Sequence, residues 1–131
     1  MDLLSGYIEE LKQDTYIDEF NVKDKQMMLP GIKHKWAGRQ VRAKIKIKEL
    51  FHKRRKLISE LTDKLIAESP VTLSKPVAEN KVKETESVVT INKSISNLEI
   101  VIEFLEKTDK TLSSMTFDIR NLTELMKLEL Q

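Results

Sequence analysis

The residues from Lys33 to Lys56, KHKWAGRQVRAKIKIKELFHKRRK, decide the fold that the sequence predicts. Apolar residues recur every seven positions through this stretch and its flanks, at Leu29, Trp36, Ala43, Leu50 and Leu57. This spacing is typical of an α-helix that buries one stripe of its surface. The stretch therefore predicts a long helix with one apolar face.

The same stretch is strongly cationic, with eleven Lys and Arg residues and a single acid, Glu49. Since the net charge of the whole chain is only +2, the balancing acids lie elsewhere in the sequence. The helix itself has almost no carboxylates with which to form i,i+4 ion pairs. A nucleic acid is the favoured counter-charge, and an acidic protein surface or a merely solvated face are the alternatives. The candidate nucleic-acid-binding residues are Lys35, Arg39, Arg42, Lys44, Lys46, Lys48, Lys53, Arg54, Arg55 and Lys56.

The segment before the basic stretch predicts a short amphipathic helix over residues 2–13 and an extended connector over 14–19. Asp18 is a candidate cap for the helix that follows. Pro30 falls inside that second helical pattern, so we expect either a kink there or a fresh helix start. The helix then continues to about Glu68, where Ser69-Pro70 stops it. Residues 1–68 form the predicted nucleic-acid-binding region.

Residues 69–90, SPVTLSKPVAENKVKETESVVT, have two prolines and no helical period. We interpret them as a linker that is partly disordered or contains short strands, and as a domain boundary.

A strict period of seven returns from Ile91 to Met126 and predicts a long C-terminal helix within residues 91–131. Its apolar surface is wider than one partner helix would cover, which favours an assembly role. The alternative is a hairpin in which this helix packs only on the basic helix of its own chain, and both can hold together. The candidate oligomerisation residues are Ile95, Leu98, Ile102, Leu105, Leu112, Ile119 and Met126. The predicted fold is thus an all-α helical hairpin that assembles into an oligomer.

The sequence lacks the patterns of an enzyme. It has no Cys, only three Gly with no phosphate-binding loop, and two histidines that lie among cations, so we predict no catalysis, cofactor or metal site. Its N-terminus does not resemble a signal peptide, and no window reaches transmembrane length, so we expect a soluble cytoplasmic protein. With 5% aromatic residues, a self-sufficient core is thin, which also favours burial between subunits.

The chain resembles the UvsY family, the recombination mediators of T-even-type phages. The resemblance is carried by IEELKQDTYID at Ile8–Asp18, by Lys35-Trp36, by the basic helix, and by NLEIVIEFLEKTDKTL at Asn97–Leu112. The DNA-binding motif of the family is Leu-Lys-x-Arg-Leu. The nearest stretch here is LFHKRRKL at Leu50–Leu57, where four cations supply the charge at a different spacing. The resemblance therefore implies DNA binding by this basic patch as a whole and assigns no role to any single cation.

The resemblance implies a protein that binds single-stranded DNA and helps a RecA-like phage recombinase displace single-strand binding protein in the infected bacterial cell. It also implies a ring-like homo-oligomer, a hexamer or heptamer, formed through the C-terminal part. From the residues alone, the competing interpretation is a non-enzymatic assembly or chaperone-like protein whose basic helix docks on an acidic protein partner.

Overall fold

The chain forms an all-α fold in the computed structural model, which describes residues 2–130. Four helices follow one another: α1 (Leu3–Thr15), α2 (Val22–Glu68), α3 (Lys75–Lys83) and α4 (Glu86–Leu130). No strand occurs in residues 2–130. The predicted all-α class, with a short N-terminal helix and two long helices, is confirmed.

Local capping fixes the start of α1 and the junction between α1 and α2. Asp2 accepts a hydrogen bond from the Ser5 backbone N–H at 2.7 Å and caps α1. The Asp18 carboxylate accepts from the backbone N–H groups of Phe20 and Asn21, at 2.9 and 2.8 Å. The expected role of Asp18 as a cap is therefore confirmed, because these are donors that precede the first turn of α2 and would otherwise be unpaired.

Pro30 does not begin a helix. Helix α2 starts at Val22 and includes Pro30, so the expected fresh start near this residue is wrong. The physical reason is burial on both sides of the proline, since Leu29 and Ile32 are 7% and 6% exposed. The apolar stripe thus continues through Pro30 and offsets the lost backbone hydrogen bond, a cost of about 3 kcal/mol in a helix interior.

The segment predicted as a partly disordered or stranded linker contains helix α3, and α4 begins at Glu86 rather than at Ile91. Ser74 occupies the N-cap position, and a proline in the first turn costs nothing because its missing N–H has no helical acceptor. Ala78 and Val82, four residues apart, are 0% and 2% exposed. Their burial stabilises a helix too short to persist alone.

The chain divides into two compact units, and each long helix contributes to both. Unit 1 comprises residues 1–42 and 101–131, and unit 2 comprises residues 43–100. The sequence-based division at 69–90 followed the linker instead. In unit 1, Trp36 contacts Phe104, and Leu29 lies beside Ile119, so α2 and α4 run antiparallel. In unit 2, Phe51 lies beside Asn92 and Leu65 beside Val82, so the chain again doubles back on itself.

Candidate nucleic-acid interface

The candidate DNA-binding cations fall into two structural groups. Lys35, Arg39 and Arg54 are half-buried, and the other seven are exposed. Those seven are Arg42, Lys44, Lys46, Lys48, Lys53, Arg55 and Lys56.

The exposed candidate cations of unit 2 lie on α2, on both sides of its buried ridge. Ala43 and Ile47 form that ridge and are each 9% exposed. At 3.6 residues per turn, Lys44, Lys48 and Arg55 share one side of the helix. Lys46 and Lys53, seven residues apart, share another, and Lys56 lies between the two sides.

These side chains have little internal counter-charge. Within residues 2–130, Lys46, Lys48, Lys53, Arg55 and Lys56 form no ion pair with Asp or Glu. Their charge therefore faces solvent and is available to a polyanion. We call these five residues together with Lys44 the cationic face of α2.

Lys35 and Arg39, in unit 1, are paired with acids of α1. The Nζ atom of Lys35 lies 2.6 Å from Oδ2 of Asp14 and 2.9 Å from Oε2 of Glu10. Arg39 donates from both Nη atoms to the two oxygens of Glu10, in a bidentate contact whose longer bond is 3.3 Å. Two cations and two carboxylates thus neutralise each other, and the pairing holds α1 on α2.

Aromatic rings enclose the same pairs. The Cζ atom of Arg39 lies 4.7 Å from the ring centroid of Tyr7 and 4.6 Å from that of Trp36. Trp36 donates from Nε1 to Asp14 at 2.8 Å, and its ring meets Tyr7 edge-on with centroids 5.4 Å apart. The rings lower the local dielectric constant and hold the guanidinium in one orientation.

The charges of this cluster shift two pKa values. Hydrogen bonds from Arg39 and then Lys35 lower the pKa of Glu10 from 4.5 to about 2. Burial alone would lower the pKa of Lys35, but hydrogen bonds to Asp14 and Glu10 raise it above its usual 10.5. Each ion is therefore stabilised by its partner at neutral pH.

Arg54 differs from both groups, because its partners are neutral. Its Nη1 atom donates to Oδ1 of Asn92 at 2.9 Å, and its Cζ atom lies 5.3 Å from the Phe51 ring centroid. Sequence reasoning missed Asn92, as it missed Glu10 and Asp14 as partners of the cations. Periodicity gives no signal for contacts between residues 29 or 38 positions apart in the sequence.

The row assigned to oligomerisation is packed inside the chain. Ile95, Leu105, Leu112 and Ile119 are between 2% and 4% exposed. Leu98, Ile102 and Met126 are half-buried. The burial of these side chains agrees with the alternative in which the row packs within its own chain. Their part in self-association stays a prediction.

Neither a metal-binding cluster nor a membrane-spanning helix occurs in the part of the chain that the structure describes. Residues 2–130 hold no group of three or more His, Cys, Asp or Glu side chains placed to bind a metal ion. Both His34 and His52 are exposed. No helix among these residues has the length and hydropathy needed to cross a membrane.

The fold and its charges define an all-α protein with a long cationic helix. The chain belongs to the UvsY family, because the family model described as "Recombination, repair and ssDNA binding protein UvsY" matches residues 10–130. No curated protein sequence matches the chain.

Solved structures show the same fold. One crystal structure of the bacteriophage T4 recombination mediator protein UvsY superposes with a TM-score of 0.81 at 16% identity and covers 98% of this chain and 99% of that one. A second crystal form gives 0.80 at 17% identity, covering 100% and 99%. A third gives 0.73 at 18% identity, with complete coverage of both chains.

Proposed function

We propose that this chain is a non-catalytic recombination mediator that binds single-stranded DNA along the cationic face of α2. Three features support the proposal: membership of a family described as single-strand-binding, the exposed cations of α2, and the lack of ion pairs within residues 2–130 at five of them, Lys46, Lys48, Lys53, Arg55 and Lys56. The strand would be held by its phosphates, which requires no base sequence. Lys35 and Arg39, already neutralised by α1, would contribute less than the exposed residues.

The observation that carries the proposal is the unpaired charge of Lys53, Arg55 and Lys56, so these three residues define its test. Each phosphate that they neutralise adds about −0.7 to the log–log slope of affinity against salt on a single strand. A Lys53→Ala/Arg55→Ala/Lys56→Ala variant should therefore bind a thymidine oligonucleotide more weakly, with a slope shallower by up to about 2. Arg54 is left in place because it contacts Asn92.

A matched control removes the same charge elsewhere. Lys23, Lys75 and Lys110 are exposed on α2, α3 and α4, and their triple alanine variant should keep most of the affinity and slope. Fluorescence anisotropy over a salt series measures both quantities, and circular dichroism checks helicity. Equal losses in the two variants would show that net charge, rather than the cationic face, determines binding.

The same assay also tests the alternative interpretation, in which the cationic face binds an acidic protein. Polyglutamate and the thymidine oligonucleotide carry similar charge but differ in shape and in the presence of bases. Tighter binding to polyglutamate, lost in the triple variant, would favour the chaperone-like interpretation over the mediator.

For recombinase loading, we propose that the bound strand is presented to a RecA-like phage recombinase while single-strand binding protein is displaced. The test uses a RecA-class recombinase and single-strand binding protein from a T-even-type phage. Adding the chain to a coated strand should shorten the lag before strand-dependent ATP hydrolysis by the recombinase. The Lys53/Arg55/Lys56 alanine variant should not shorten it, and a lag unchanged by the parent chain would refute the mediator role.

We also propose that the chain assembles into a ring-like homo-oligomer through its C-terminal region, in which subunits multiply weak contacts to one strand. The predicted heptad row is largely packed within the chain, and exposed apolar residues of α4 outside that row would extend the surface offered to a neighbour. Phe117, Leu125 and Leu128 recur on the outer side of α4 and are 62%, 58% and 65% exposed. Serine at these three positions should reduce the particle mass in light scattering, whereas Val71→Ser, at a site 64% exposed outside α4, should leave it unchanged.

A further inference from the structure

Unit 2 contains an open cleft of about 530 Å³ beside the cationic face. Phe51, Arg54 and Arg55 of α2 line one side of it, and Val88 and Asn92 of α4 line the other. Lys83, at the end of α3, is also part of the wall. The cleft thus combines an aromatic ring, an amide, aliphatic side chains and three cations within a few residues of the proposed strand path.

Arg54 is held in this cleft without an acid. It bonds to the Asn92 amide at 2.9 Å and lies over the Phe51 ring, and no carboxylate of residues 2–130 pairs with it. A guanidinium fixed by neutral neighbours keeps its charge and several N–H donors and loses little further entropy on binding. This arrangement suits an incoming ligand that is both planar and anionic.

The apolar part of the cleft distinguishes a nucleotide from a bare phosphate. Phe51 and Ile58 line the cleft and are half-buried, so its wall offers accessible apolar surface that a phosphate would not use. Bases of single strands stack on aromatic rings and on Arg planes. Because Oδ1 of Asn92 accepts from Arg54, its Nδ2 group is the part of the amide that can donate to a base carbonyl.

We propose that this cleft receives one nucleotide of the bound single strand. The base stacks in the cleft against Arg54 and Phe51, the amide of Asn92 donates to its edge, and Arg55 and Lys83 contact the flanking phosphates. This inference rests on the proposed function, and it adds a contact to the base that a track of exposed lysines cannot make. The mediator would then hold the strand by its bases at intervals, one per subunit.

The test compares two oligonucleotides with the same number of phosphates. One is a run of about twelve thymidines, within the usual footprint of a single-strand site, and the other is its abasic equivalent. Anisotropy at one salt concentration should show the parent chain binding the thymidine strand about 5- to 150-fold more tightly, the range expected for one stacked base. Equal affinity for the two strands would overturn the cleft proposal and leave phosphate binding intact.

Variants locate the preference in the cleft. Asn92→Leu and Phe51→Leu should each reduce the preference for the thymidine strand while the affinity for the abasic strand changes little. Lys83→Ala should weaken both strands alike. Asn97→Leu, at an exposed position of the same helix, is the matched control and should retain the full preference.

The possible outcomes separate the two proposals. A preference that persists in both cleft variants would place base contact elsewhere and overturn the assignment. Failure of the parent to bind either strand in dilute salt would overturn the proposed function together with this inference. The comparison of strands on the parent chain needs no variant, so misfolding of Phe51→Leu would not prevent a decision.

Discussion

The ion pairs between α1 and α2 predict that Glu10 stabilises the folded chain at neutral pH and that this stabilisation is lost in acid. Its carboxylate is bonded to Arg39 and Lys35, and its pKa falls from 4.5 to about 2 on folding. Glu10→Gln preserves the shape and the capacity to accept a hydrogen bond from Arg39, so the change removes mainly the charge. We expect this variant to be less stable than the parent at neutral pH.

The magnitude follows from the pKa and the exposure of the side chain. At about 1.4 kcal/mol per pKa unit, the full shift would correspond to about 3 kcal/mol. The Glu10 side chain remains 37% exposed, so solvent screens part of this interaction. Discounted in this way, the expected loss in the free energy of unfolding is roughly 1 kcal/mol.

The sign of the pH dependence follows from proton binding. The unfolded chain binds a proton at Glu10 more readily than the folded chain does, because the folded pKa is lower. The stabilisation is therefore complete above about pH 4.5 and is lost as the pH falls towards 2. The difference between parent and variant should shrink over that range.

Urea unfolding followed by circular dichroism, at neutral pH and at roughly pH 3, measures both quantities. Glu9→Gln is the matched control, since Glu9 is exposed at the next position of α1. It should change stability by less than about 0.5 kcal/mol. A Glu10→Gln variant as stable as Glu9→Gln at neutral pH would refute the reasoning that these pairs fasten α1.

The other predictions concern stability measured by the same urea unfolding. Thr62 is 1% exposed and its hydroxyl has no hydrogen-bond partner within residues 2–130, so Thr62→Val should raise stability by about 1 kcal/mol. Thr108→Val should not, because that hydroxyl donates to the Phe104 carbonyl at 2.9 Å, and a gain there as large as at Thr62 would contradict the explanation. Gly31→Ala should stabilise α2 by up to about 1 kcal/mol, since a Cβ there meets nothing within 4 Å, and an unchanged midpoint would count against it. Arg39→Ala should lower the free energy of unfolding by about 2 kcal/mol, because its hydrogen bonds to Glu10 are lost. Its DNA affinity, measured by anisotropy, should stay near the parental value. A loss of affinity without a loss of stability would instead show that Arg39 contacts DNA.

The long helices were predictable because their apolar residues recur with a period that only a helix can bury on one side. Trp36 illustrates this, since its position on the row of seven predicted a core residue and the structure leaves it 2% exposed. Helix α3 was missed because Pro76 resembles a helix breaker when its place in a first turn is unknown. Its signal was available in Ser74 as a cap and in the spacing of Ala78 and Val82.

The candidate interface was predictable as a charge pattern but not as a set of available cations. The sequence shows that the basic stretch of α2 contains a single acid, Glu49, and it cannot show that α1 supplies Glu10 and Asp14 from outside that helix. Likewise, the pairing of Arg54 with Asn92 depends on how the chain doubles back. Contacts of this kind need tertiary structure, because neither partner lies within the helical period of the other.

The chain contains a single indole, and its setting makes it an intrinsic optical reporter. Trp36 is shielded from water, donates to Asp14 and touches Tyr7, so its emission should move to longer wavelength when α1 detaches. An oligonucleotide has no route to stack on this ring while α1 stays in place. A spectral change upon adding DNA would thus signal a rearrangement of the N-terminal helix, and it could be followed in real time without attaching a dye.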